Sequence, residues 1–162
     1  MTKKDQLKEE FIMNFGHAYQ AFGLSKLMGH VVALLIYSTE PISLEDIAKH
    51  LNRSKGPISQ ITRRLRDKRL IRRVWHPTSR KDFYEIEPEI FENAFRNNID
   101  LIRNNLKIAE HFQNEIVARK IDNAEILDKR LVEMEKFYEL MEKHDKNFLE
   151  EWEVVRKKIY KK

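Results

Sequence analysis

Apolar positions along the chain recur at steps of three and four, except in one short stretch near the middle where they alternate. The first spacing predicts helices and the second predicts strands. Residues 3–22 carry Leu7, Phe11, Phe15, Ala18 and Phe22 on one face of a first amphipathic helix. Ser25 is placed to cap a second, whose Leu27, Met28, Val31, Val32, Leu34 and Leu35 make it apolar nearly all round and therefore a core helix. Pro41 ends that run and biases Glu40 toward extended geometry. Ser43-Leu44-Glu45-Asp46 reads as a capping box opening a short helix over 44–51. After a break at Asn52-Arg53, Ser54 caps another helix, with Pro57 in its first turn and Ile58, Ile61 and Leu65 along one side to about Arg69. Two β-rich segments, 71–76 and 82–86, then read as a hairpin joined by Pro77-Thr78-Ser79-Arg80-Lys81.

From Pro88, which suits a first helical position, the pattern stays helical to the end. Phe91, Phe95, Ile99, Ile102, Leu106, Ala109 and Ile116 form one stripe. After a break near Asp122-Asn123, a second is formed by Leu127, Leu131, Met134, Tyr138, Met141, Phe148, Trp152, Val155 and Ile159. Its alternating steps are those of a coiled-coil seam, interrupted by Asp145. That aspartate marks either a stretch where the seam bends out to solvent or a polar position that sets register. A helix over 124–160 is about 55 Å long at 1.5 Å per residue. A domain of this size does not cover such a face alone, so these residues are expected to pair two copies of the chain. The predicted class is mostly α (α+β): an N-terminal dimerisation helix over 1–23, a helix-and-hairpin core over 24–87 and a long-helix dimerisation region over 88–162.

Composition narrows the function. The chain has 162 residues, 41% hydrophobic and 35% charged, with no cysteine, which excludes a disulfide framework, a thiolate zinc site and a cysteine nucleophile. Four scattered glycines are too few for a dinucleotide-binding turn or a P-loop. The histidines at 17, 30, 50, 76, 111 and 144 lack metal-site spacing, and the acids of the last helix read as a solvated face. No catalytic residue, metal or cofactor is therefore expected. The longest apolar run, 31–37, is too short to cross a membrane, and the opening residues lack the apolar stretch of a signal peptide. A cytoplasmic protein without membrane contact is expected.

Charge changes the picture most. The net charge of +5 hides a segment, 49–81, with twelve Lys or Arg against the single acid Asp67, so the rest of the chain is net negative. Such asymmetry points to a polyanionic partner, above all double-stranded DNA. Short helix, break, second helix and hairpin is the order of a winged helix-turn-helix, whose second helix enters the major groove. At 100° per residue, Ile58, Ile61 and Leu65 share an arc of about 60°, and Gly56, Ser59, Gln60 and Arg63 fall opposite. Gln60 suits adenine and Arg63 guanine, while Ser54, Lys55, Gly56 and Pro57 bring the helix start to the DNA and Arg64 and Arg66 flank it toward the phosphates. In the wing, Ser79, Arg80 and Lys81 are the expected contacts, with Arg80 suited to a narrow minor groove. Trp75 is expected to pack the hairpin, and His76 to lie on its surface. The alternative is a winged-helix protein-interaction or scaffold module without specific DNA binding.

Residues 24–86 resemble the winged-helix core of the MarR superfamily, and more closely its GbsR-like branch. The resemblance rests on Gly23-Leu24-Ser25-Lys26, Gly29 and Pro41 to Ala48, then on Arg53 to Ser59, Leu65, Leu70 to Trp75 and Arg80 to Glu85. It departs at Pro57, where Asn is common, and at Pro77-Thr78-Ser79, which replaces a glycine-containing turn. The resemblance implies a homodimeric transcriptional regulator, joined through its first and last helices and acting on a pseudo-palindromic operator. It also implies a small-molecule effector, choline being one in the GbsR-like branch. Phe15, Tyr19 and Phe22 are suited to a cation–π site, but the same spacing fits plain core, so the ligand and its residues are left unknown.

Overall fold

The computed structural model describes residues 2–161, which form two compact units, one running to Ala94 and the other starting at Phe95. The first unit begins with α1 (Lys3–Ala21) and α2 (Lys26–Tyr37). Thr2 caps α1 in a reciprocal box: its hydroxyl accepts from the Asp5 N–H at 3.2 Å, and the Asp5 carboxylate accepts from the Thr2 N–H at 2.8 Å. The two helices cross at their glycines. A Cβ on Gly29 would lie 2.5 Å from the Phe15 carbonyl oxygen, so only hydrogen fits there against the α1 backbone, whereas a Cβ on Gly16 would meet the His30 and Lys26 side chains. Gly23, with φ 73°, turns the chain between them. As the apolar pattern requires, α2 is a core helix, with Met28, Val31, Val32, Leu34 and Leu35 buried. On α1 the reading holds only in part: Phe11 and Phe15 pack on the core, whereas Leu7 and Phe22 are exposed.

A strand too short to leave a pattern, β1 (Ile42–Ser43), leads into α3 (Leu44–His50), α4 (Lys55–Asp67), β2 (Ile71–His76) and β3 (Ser79–Ile86). The antiparallel sheet has the order β1-β3-β2, with Ile42 opposite Tyr84 and Ile71 opposite Ile86. Ser43 caps α3 as expected, its hydroxyl accepting from the Asp46 N–H at 3.1 Å. Ser25 and Ser54 stand at the N-cap positions of α2 and α4, but neither side chain makes a capping bond. Helix α4 stops two residues earlier than expected, because Arg69 turns left-handed at φ 54° and the Leu70 N–H returns to the Leu65 carbonyl. Ile58, Ile61 and Leu65 are buried, joined by Thr62, whose hydroxyl donates to the Ser59 carbonyl.

The hairpin departs from its expected five-residue connection. His76 pairs with Ser79, leaving a two-residue turn of Pro77 and Thr78, so Ser79, Arg80 and Lys81 belong to β3 rather than to a loop. Neither turn residue has positive φ, which excludes the turn types that match strand twist. The mismatch is taken up by an irregularity in which Trp75 alone stands opposite Arg80, Lys81 and Asp82. Pro88 also differs from expectation: it lies in a turn, and α5 (Ile90–Arg119) begins two residues later.

The second unit pairs α5 with α6 (Glu125–Tyr160) in antiparallel fashion. Phe95 meets Phe148 at a ring separation of 4.6 Å, Arg103 Nε donates to Glu142 at 2.8 Å, and Gln113 donates to Glu135 at 2.9 Å. Helix α6 is continuous through Asp145. Asp145 is half-buried, and its Oδ2 is enclosed without a hydrogen-bond partner. The shielded track on α6 runs 131, 134, 138, 141, 145, 149, 152, 156. It keeps the predicted Leu131, Met134, Tyr138, Met141 and Trp152, omits the exposed Leu127, and takes Leu149 and Arg156 in place of Phe148 and Val155, the drift that 3.6 residues per turn makes against a strict heptad. Phe148, Val155 and Ile159 are therefore at least 47% exposed.

Candidate nucleic-acid interface

The outward face of α4 follows from burial on its inward face. With Ile58, Ile61, Thr62 and Leu65 committed to the core, Lys55, Gly56, Gln60, Arg63, Arg64 and Arg66 are exposed. Ser54 and Pro57 are exposed at the helix start, whereas Ser59 is half-buried on the flank. The α3–α4 connection sets this presentation: Asn52, left-handed at φ 49°, lets the Arg53 N–H return to the Ala48 carbonyl and reverses the chain tightly.

The wing adds a second cationic surface. Trp75 is 81% exposed, so it does not pack the hairpin as expected; it projects beside Arg80 and Lys81. Arg73, Val74, Trp75, Ser79, Arg80 and Lys81 line a cleft of about 320 Å³. The Ser79 hydroxyl accepts from the Lys81 N–H at 3.2 Å, and its own hydrogen stays free to donate. His76 stacks on Phe83 at 4.6 Å and is half-buried.

Electrostatics is less one-sided than the segment charge indicates, because acids just outside 49–81 fold back onto it. Arg72 pairs with Glu85 at 2.6 Å, Arg73 with Asp82 at 2.6 Å, and Glu45 with Lys55 at 2.9 Å and Lys81 at 3.7 Å. Widened to 45–87, twelve bases face six acids. Among the described residues of the segment, Arg63, Arg64 and Arg66 on α4 and Arg80 on the wing make no ion pair, nor do Lys49, Arg53 and Arg69 on α3 and the connections. The Arg72 guanidinium is held above its ordinary range by its bond to Glu85. These pairs and the exposed Trp75 escaped sequence reasoning, since the partners are set by strand register.

Elsewhere the expected features are dispersed. Phe15 and Tyr19 pack on each other at 6.2 Å and on the core, while Phe22 is 83% exposed, so the three do not form a common box. Among the described residues, no group of three His, Asp or Glu side chains is arranged to hold a metal, and no helix is long and apolar enough to cross a membrane.

Comparisons with known proteins agree with this geometry. Residues 30–83 match the model of the MarR family. Over 92 residues, 57% of the chain, the sequence is 26% identical to YvaV of Bacillus subtilis (strain 168), whose name assigns it provisionally as an HTH-type transcriptional regulator. It is 23% identical over 88 residues to the HTH-type transcriptional repressor OpcR of the same organism. The matched stretch spans 52% and 48% of those two proteins. A crystal structure described as a transcriptional regulator superposes with a TM-score of 0.78 at 23% identity, covering 91% of this chain and 98% of that one. The stretch matched by the family model, residues 30–83, runs from within α2 to the centre of the wing and is similar to MarR family domains.

Proposed function

We propose that this chain is a sequence-specific, DNA-binding transcriptional regulator that acts as a cytoplasmic homodimer on a pseudo-palindromic operator. The observation that carries the reading is the set of four unpaired arginines, Arg63, Arg64, Arg66 and Arg80, on the exposed faces of α4 and the wing of a domain similar to those of the MarR family. In this reading α4 lies in the major groove, with Gln60 and Arg63 toward base edges, Ser54 to Pro57 at its approach, and Arg64 and Arg66 toward the phosphate walls. Ser59, on the flank, and Ser79 donate to phosphates, and Arg80 and Lys81 follow the adjacent backbone. The finer placement in the GbsR-like branch rests on Ser54-Lys55-Gly56 and Arg80 to Glu85. It brings with it an effector of unknown identity.

The dimer reading is supported by a second apolar stripe on α6. Ile126, Phe137, Leu140, Phe148, Val155 and Ile159 fall within about 100° of one another, and all are at least 47% exposed. An uncovered stripe of this length is what a second copy buries.

The reading is tested by fluorescence anisotropy on a selected operator and a scrambled duplex. Gln60→Ala and Arg63→Ala should each cost about 1–3 kcal/mol on the operator and relax preference at particular base pairs. Arg64→Ala and Arg66→Ala should weaken both duplexes alike and flatten the salt dependence. If the first two leave the operator-to-scrambled ratio intact, α4 does not read sequence.

A further inference from the structure

Glu45 occupies a singular place in the interface. It stands in the first turn of α3, yet each of its oxygens reaches a cation on another element: Oε1 lies 2.9 Å from Nζ of Lys55, the first residue of α4, and Oε2 lies 3.7 Å from Nζ of Lys81 on β3. The wing pairs Arg72–Glu85 and Arg73–Asp82 differ in kind, since both join the strands of one hairpin and brace it. Glu45 instead ties together two elements that flank the same outward surface. Both lysine side chains are more than half exposed, at 63% and 58%, so the lysines are held but not entombed.

A carboxylate with two lysines on its two oxygens resembles a phosphodiester, whose single negative charge is likewise shared by two oxygens. Lysine is a compact charge on a flexible stem, so it exchanges one anion for another without rebuilding the backbone around it. The exposed pairs themselves are weak. The hydrogen bond from Lys55 also holds the Glu45 carboxyl below its usual range, so at neutral pH it is anionic while the lysines are cationic.

We propose that Glu45 is a built-in phosphate mimic: it holds Lys55 and Lys81 in the free protein, yields them to two DNA phosphates on binding, and so restrains sequence-independent affinity. The inference rests on the DNA-binding reading above and adds an opposing term to it. Each phosphate that a lysine neutralises releases counterions, and a lysine that must first leave a carboxylate gains less from the exchange.

The test uses the full chain and a scrambled duplex across a salt series. Glu45→Gln, which keeps shape and loses charge, should bind about tenfold tighter near 0.1 M salt and steepen the log–log salt slope by about one to two units. Glu45→Asp, too short to reach both lysines, should fall between. In a Lys55→Ala/Lys81→Ala background the gain from Glu45→Gln should disappear. Unchanged or weaker binding by Glu45→Gln overturns the proposal, as does a gain that persists without the lysines. An equal gain from Glu133→Gln on α6, which removes the same charge elsewhere, also overturns it, because net charge alone would then be the cause. Binding of no duplex by the wild-type chain would instead defeat the DNA-binding reading itself, and the mimic with it.

Discussion

Lys120 closes α5 in a left-handed conformation, φ 50°, with the Ile121 N–H returned to the Ile116 carbonyl. A side chain bearing a Cβ is strained there, whereas glycine is not. Lys120→Gly should therefore stabilise the chain by about 1 kcal/mol in denaturant unfolding, against the usual cost of a glycine. His30 makes the opposite kind of statement. Its Nε2 is enclosed at the Gly16 crossing without a partner. Desolvation, then the charges of Lys26 and Arg53 and neighbouring His17, hold its pKa below 6.5, with Glu9 acting weakly the other way. The unfolded chain therefore takes up this proton more readily than the native one. The contribution is fully present above about pH 6.5 and is lost as pH falls through the lowered native value. Unfolding at pH 7.5 and 5.5 should show a drop in stability that is smaller in His30→Gln; an equal drop in both would remove His30 as its source.

At the scale of elements, the informative case is α6. Its apolar residues form a shielded track and a second, exposed stripe, and the heptad reading merged the two, because a seam of steps four and three drifts across a straight helix. Asp145 sits in the shielded track with an unpartnered oxygen, in a helix that is continuous through it. An enclosed polar atom without a partner costs stability. Asp145→Leu should raise stability by about 1–2 kcal/mol while permitting other association states, as when a register-setting polar residue is removed. Thermal melting and sedimentation read the two effects separately, and no change in either would show that Asp145 sets neither packing nor register. The α1–α2 pair is the contrasting case: its apolar spacing was legible, but the requirement for Gly29 was not, since it arises only where the two backbones cross.

For the whole molecule, the proposed dimer makes association and DNA binding interdependent. Phe137 and Leu140 lie on the exposed stripe, 59% and 56% exposed, so replacing both with Lys removes apolar surface without entering the core. Sedimentation at micromolar concentration should show the wild type as a dimer and Phe137→Lys/Leu140→Lys as a folded monomer. The variant should bind an operator more weakly than a half-site count of two predicts for the dimer. A wild-type chain that sediments as a monomer would end the dimer reading.

Local periodicity determined the helices, the burial of α2 and the exposed polar face of α4, because each depends on which residues share a side of one element. Capping chemistry likewise marked the start of α3 at Ser43. Tertiary structure alone decided what lies across elements. It formed β1 by pairing Ile42 and Ser43 with β3, and drew Arg80 and Lys81 into that strand. It left Trp75 exposed, and brought Glu45 to two lysines that are ten and thirty-six positions away in sequence. These outcomes depend on strand register and on the meeting of distant segments, which no one-dimensional pattern encodes. For the same reason the basic run was legible in the sequence, whereas the subset of its cations left without an acid was not.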